Sequence, residues 1–91
     1  MINIEDAKNI VLKKVGKPPT NDEFIITDVI EKNNYWVFLY DSKKYIETQD
    51  TSHMLLGNAP IIVDYFGNVK ETGTAHPIEY YLLLYENGEL K

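Results

Sequence analysis

The sequence predicts an α+β domain, with a helix at each end of an antiparallel sheet of about four strands and both helices packed on that sheet. Three observations predict it. Apolar residues recur at helical spacing near the two ends of the chain, over 4–15 and 77–86. The middle is β-branched and aromatic, in short runs parted by Asn, Gly and Pro. Finally, 91 residues, 44% of them hydrophobic, suffice for one thin core, so the runs must share it. Residues 1–91 are expected to form a single domain.

The first helix is expected over 4–15. Asn3 is a good N-cap, and Glu5 and Asp6 place carboxylates in the first turn. Ile4, Ala7, Val11 and Val15 follow at helical spacing, with Leu12 beside them. Gly16 then stops the helix and Pro18-Pro19 prevents its return. Residues 24–31 read as a strand, and Asn33-Asn34 as a turn, because Asn tolerates the left-handed region. Residues 35–41 return. A short extended piece is expected over 44–47, then a single helical turn capped at 50–52 and ended by Gly57. Residues 61–65 form the next strand. Asp64 and Gly67 suit the first and fourth positions of a type I turn, and 69–72 returns. Gly73 breaks the pattern, and Pro77 opens the second helix, which ends before Asn87-Gly88. Helices gathered on one face of the sheet are the expected packing.

Two surfaces carry more apolar residues than one core requires. A turn at Asn33-Asn34 sets Ile30 opposite Val37 and Asp28 opposite Leu39. Val29, Trp36, Phe38 and Tyr40 then occupy the other face. Both faces are apolar, so something must cover the second: the other helix, a second copy in a homodimer, or a foreign protein. In the C-terminal helix, Ile78, Tyr81, Leu82 and Tyr85 make one stripe, while Tyr80, Leu83 and Leu84 lie away from it.

Charge and composition exclude several classes. The net charge is −5, with nine Lys and no Arg. Nucleic-acid binders need basic patches, and Arg supplies the bidentate phosphate fork, so no nucleic-acid partner is expected. An acidic surface favours a basic protein partner. No apolar run approaches the roughly 20 residues of a bilayer span, so no membrane partner is expected. The absence of cysteine rules out disulfides and thiolate metal sites, and fits a cytoplasmic location.

Candidate chemistry is sparse. Asp50 and His53, and His76 and Glu79, have spacing that can share a helix face and hold a metal, but neither pair reaches three ligands, and helix capping accounts for Asp50 and Glu79. Ser42 and Ser52 lie outside any nucleophile-elbow motif. No enzyme activity, cofactor or metal is therefore expected. Trp36 reads as a core residue or as a binding anchor. Asp41, Glu47 and Asp50, with Tyr45 among them, read as a solubilising rim or as the docking edge of a basic partner.

Trp36-Val-Phe, Tyr45-Ile-Glu-Thr, Gly57-Asn58-Ala59-Pro60-Ile-Ile-Val-Asp64, Gly67, Gly73-Thr74, Pro77, Glu79 and Tyr81, in that order, resemble the immunity protein 35 family, or YrhB-like domain. The resemblance spans about residues 4–86. It implies a bacterial immunity protein that stays in the producing cell and neutralises a cognate polymorphic toxin by binding it. It brings no catalytic residues. The expected mechanism is occlusion of a basic toxin surface by the edge at Asp41, Tyr45, Glu47 and Asp50. Two other readings are a small chaperone-like binder of unfolded clients, using the second sheet face or Tyr80, Leu83 and Leu84, and, as a residual, an enzyme.

Overall fold

The computed structural model describes residues 1–16, 23–49 and 59–90. The expected turn over 50–56 lies outside the described residues, as do Pro18, Pro19, Asp50, Ser52, His53, Gly57 and Asn58. The elements run α1 (Ile4–Val15), β1 (Phe24–Glu31), β2 (Tyr35–Ser42), α2 (Lys43–Thr48), β3 (Ile61–Asp64), β4 (Val69–Glu71) and α3 (Ile78–Glu86). The strands form one antiparallel sheet in the order β1-β2-β3-β4.

Helix α1 starts as its sequence dictates. The Asn3 side chain accepts the Asp6 N–H at 2.8 Å, and the Asp6 carboxylate accepts the Asn3 N–H in return. This reciprocal pair satisfies two donors that the first turn leaves without helical partners. Ala7 and Val11, both fully buried, set α1 on one face of the sheet. There they meet Trp36, Phe38, Ile61 and Val63, with Val29 and Tyr40 packed alongside.

Helix α3 lies on the other face, which corrects the expectation that both helices share one. Leu82 packs there on Tyr35, Val37 and Ile62, joined by Ile30, Leu39, Ile78, Tyr85 and Leu90. Strands β2 and β3 are therefore apolar on both sides because helices cover both sides. The second helix answers the question of what covers the surplus face.

The β1–β2 register matches the expected pairs, with Ile30 opposite Val37 and Asp28 opposite Leu39. The hairpin tip is held differently from the expectation. Neither Asn33 nor Asn34 takes a positive φ. Instead, the Lys32 N–H donates to the Tyr35 carbonyl at 2.9 Å. Tyr65, just past β3, fastens the tip with its hydroxyl on the Lys32 carbonyl (2.9 Å) and its N–H on the Asn34 carbonyl (3.2 Å).

A bulge at Thr27 interrupts the ladder, since Ile26 faces Tyr40 while Asp28 faces Leu39. The extra residue reverses the side-chain alternation. Ile26 thereby joins Val29 under α1, and Phe24 meets Tyr40 edge-on at 5.3 Å between ring centres.

The β3–β4 turn is built on Asp64. Its carboxylate accepts the Phe66 and Asn68 N–H groups at 2.9 Å and the Asn68 side-chain amide at 3.0 Å. The Gly67 N–H donates to the Asp64 carbonyl at 3.1 Å, and Gly67 adopts φ +92°, a conformation costly for other residues. Burial pushes the Asp64 carboxyl up, but these hydrogen bonds together hold it below its ordinary value.

Residues 44–47 are helical rather than extended, a second correction. Ser42 is buried, and its side-chain oxygen accepts the Tyr45 N–H at 3.0 Å, capping α2 at the end of β2. The cap outweighs the strand preference of Tyr45 and Ile46. Just past α3, Gly88 takes a left-handed conformation, and the Glu89 N–H donates to the Leu84 carbonyl at 2.7 Å. At Gly73, a β-carbon would stand 2.6 Å from the Tyr81 hydroxyl, so the ring lies directly over the bare backbone.

Candidate functional site

The junction of β2 and α2 gathers three of the five expected docking residues. Asp41 is the penultimate residue of β2, half-buried, and its carboxylate accepts the Ser42 N–H at 2.8 Å. Strand alternation puts it on the sheet face of Val37 and Leu39. Tyr45 follows in α2, half-buried, and Glu47 is exposed. Asp50 lies outside the described residues. Trp36 stands apart from this group, five residues back along β2, roughly 16 Å away. It is 6% exposed, sits under α1, and its ring centre lies 4.5 Å from that of Tyr65. Any share it takes in partner binding is exerted through the packing beneath the surface.

Lysines enter this junction too. Lys43 reaches Glu23 at 3.2 Å and Glu47 at 4.0 Å, and Lys44 is its neighbour in α2. Exposed pairs of this kind contribute little stability, yet they dilute the negative potential that Asp41 and Glu47 offer. The charge pattern of α2 was readable in the sequence, but its partners were not. Glu23 is brought in by the β1–β2 pairing, which also sets the Lys43 N–H on the Glu23 carbonyl at 2.8 Å.

The outer side of α3 presents a second surface. Tyr80 is 45% exposed and Leu83 63% exposed, whereas Leu84 is half-buried. The His76 ring lies 4.1 Å from that of Tyr80, and Tyr81 meets Tyr80 edge-on at 5.3 Å. The other half of the expected His76–Glu79 pair, Glu79, is exposed in the first turn of α3. At the helix's far end, the Tyr35 hydroxyl donates to the Glu86 carboxylate at 2.7 Å, and the Tyr35 and Tyr85 rings pack edge-on at 4.7 Å. Burial, then the bond to Glu86 and the nearby charge, push the Tyr35 phenol well above its ordinary value. A broad groove opens here between the hairpin tip and α3, lined by Lys32, Asn34, Lys70, Tyr85 and Glu86 among others. It was not legible in the sequence, because the hairpin tip and the last turn of α3 come together only through the fold.

Ser42, considered as a nucleophile, is a buried helix cap. Among the described residues, no helix is long and apolar enough to cross a membrane.

A four-stranded antiparallel sheet between two helices, with acidic and aromatic residues turned outward, defines a small α+β protein. Comparison with known proteins gives the family. The family model described as "Immunity protein 35" matches residues 5–82, and the chain belongs to that family. It is 42% identical over 52 residues to a protein of Escherichia coli (strain K12) described as "Uncharacterized protein YrhB". That match covers 56% of this chain and 55% of the relative, so the chain spans about half the length of the curated relative it matches. No solved structure matches. The family's description is that of immunity proteins.

Proposed function

We infer that this chain neutralises one cognate bacterial toxin by binding it stoichiometrically in the cytoplasm and covering its active surface. The family match over residues 5–82 carries this reading. The net charge of −5 supports a partner with a basic surface, because opposite charge speeds encounter. The docking edge in this proposal is the β2–α2 junction, where Asp41, Tyr45 and Glu47 lie together, with Asp50 three residues beyond Glu47 in the chain. Trp36 supports that strand from within the core.

Co-expression with the toxin domain encoded by the adjacent gene tests the reading. Rescue of growth together with a stable one-to-one complex is the expected result; failure of both overturns it. The exposed Tyr80 and Leu83 favour a second reading, a chaperone-like binder of unfolded clients. That protein would suppress the aggregation of many unrelated clients and would form no single tight complex.

A further inference from the structure

The geometry points to the outer side of α3 as the anchor that seats this chain in its toxin, with Tyr80 and Leu83 entering an apolar cleft whose rim carries Lys or Arg. This inference rests on the toxin-binding reading and names the part of the surface that determines the lifetime of the complex.

Three observations converge on α3. First, its inner stripe is already in use, since Ile78, Leu82 and Tyr85 pack on the sheet. Glu79, Tyr80, Leu83 and Glu86 recur at the i, i+1, i+4, i+7 spacing of the opposite side, and all four are exposed. An amphipathic helix laid into a groove likewise presents its contacts from one side. Second, Tyr80 is held between His76 and Tyr81, at 4.1 and 5.3 Å. A ring that is ordered before contact loses less entropy on binding, and Tyr is among the residues that dominate interface energetics.

Third, the charges on α3 itself have one sign, while Lys32 and Lys70 line the groove with Glu86 at its far end. From residue 71 to residue 90 the chain carries four glutamates and not one Lys or Arg. Glu71 faces away and pairs with Lys14 at 3.7 Å, which leaves Glu79, Glu86 and Glu89 in and just after α3. By contrast, the β2–α2 junction mixes its carboxylates with Lys43 and Lys44. A basic rim complements the part of α3 that carries Glu79, Tyr80 and Leu83 more fully than it complements that junction. The division of labour follows. The carboxylates of both regions attract the toxin, and the apolar pair on α3, unlike the buried Trp36, is available to be desolvated against it.

The test uses the full chain and a catalytically inactive form of the toxin domain encoded by the adjacent gene, with association and dissociation followed separately. Tyr80→Ala and Leu83→Asp should each raise the dissociation rate about tenfold or more while leaving association within about twofold. Leu83→Ala should do so to a smaller degree, and serves if the Asp variant lowers the melting temperature. Unchanged dissociation for Tyr80→Ala and Leu83→Ala, with the wild-type complex intact, overturns the assignment of α3 and leaves the toxin reading standing. A wild-type chain that forms no complex overturns both. A free chain that is dimeric, and becomes monomeric on Leu83→Asp, also overturns the assignment, since a second copy would then occupy this side.

Discussion

The Tyr35 hydroxyl, carried on a central strand of the sheet, donates a 2.7 Å hydrogen bond to the Glu86 carboxylate in the last turn of α3. It ties the helix to the hairpin across 51 positions of sequence. Removing the donor with Tyr35→Phe should cost about 1 kcal/mol and lower the melting temperature by about 5 °C. The sign of the pH dependence follows from the raised phenol. The folded chain holds that proton more tightly than the unfolded chain, so stability is intact below the ordinary tyrosine value of about 10 and falls as pH rises above it. Burial also raises Tyr40 and Tyr85, which act in the same direction. Denaturant titrations from about pH 9 to about pH 11 should show a shallower loss for Tyr35→Phe than for the wild type.

Asp64 gives the opposite dependence. Its carboxyl is held low, so its contribution is present above the ordinary aspartate value of about 3.9 and disappears as pH falls through the folded-state value. Asp64→Ala removes the acceptor for three donors in the β3–β4 turn and should cost about 1–2 kcal/mol at neutral pH. The variant should also lose less stability than the wild type on acidification below about pH 4.

Trp36 should report on the core. Its emission should be blue-shifted in the free chain and change little when the toxin domain binds, because the indole is already enclosed between α1 and Tyr65. Trp36→Ala should cost about 3–5 kcal/mol, a large fraction of the stability of so small a domain. A strong emission shift on binding would show instead that the core opens in the complex.

Charge reversal at Asp41 and Glu47 tests the steering role of the β2–α2 junction. Asp41→Lys with Glu47→Lys should slow association with a basic toxin on the order of tenfold at low salt and flatten its salt dependence. Association at the wild-type rate would remove this junction from the encounter surface.

Much of this fold is legible in the sequence, and the exceptions have physical causes. The ends of every observed helix and strand outside α2 lie within one residue of expectation. There, caps, turn residues and periodicity all agree. The β1–β2 register was readable because a two-residue turn fixes which residues face each other. The Thr27 bulge was not, because Thr suits a strand and the slip reveals itself only when Ile26 and Val29 must both reach α1. Helix α2 was missed although Ser42 was there to cap it, since Tyr45 and Ile46 weigh toward a strand. For the candidate site, residue type could not separate Trp36 from Tyr80. Both are large aromatics at the edges of apolar runs. Which of them faces solvent depends on the side of the sheet that each helix takes, and that is a tertiary fact.

The placement of α3 has one more consequence. Its inward residues rest on the sheet, while Glu79, Tyr80 and Leu83 belong to neither buried cluster. Replacing these three leaves both clusters filled, so this side of the helix can vary without reopening the problem of folding. In the proposed role, a scaffold of this kind lets one small architecture meet a succession of different adversaries.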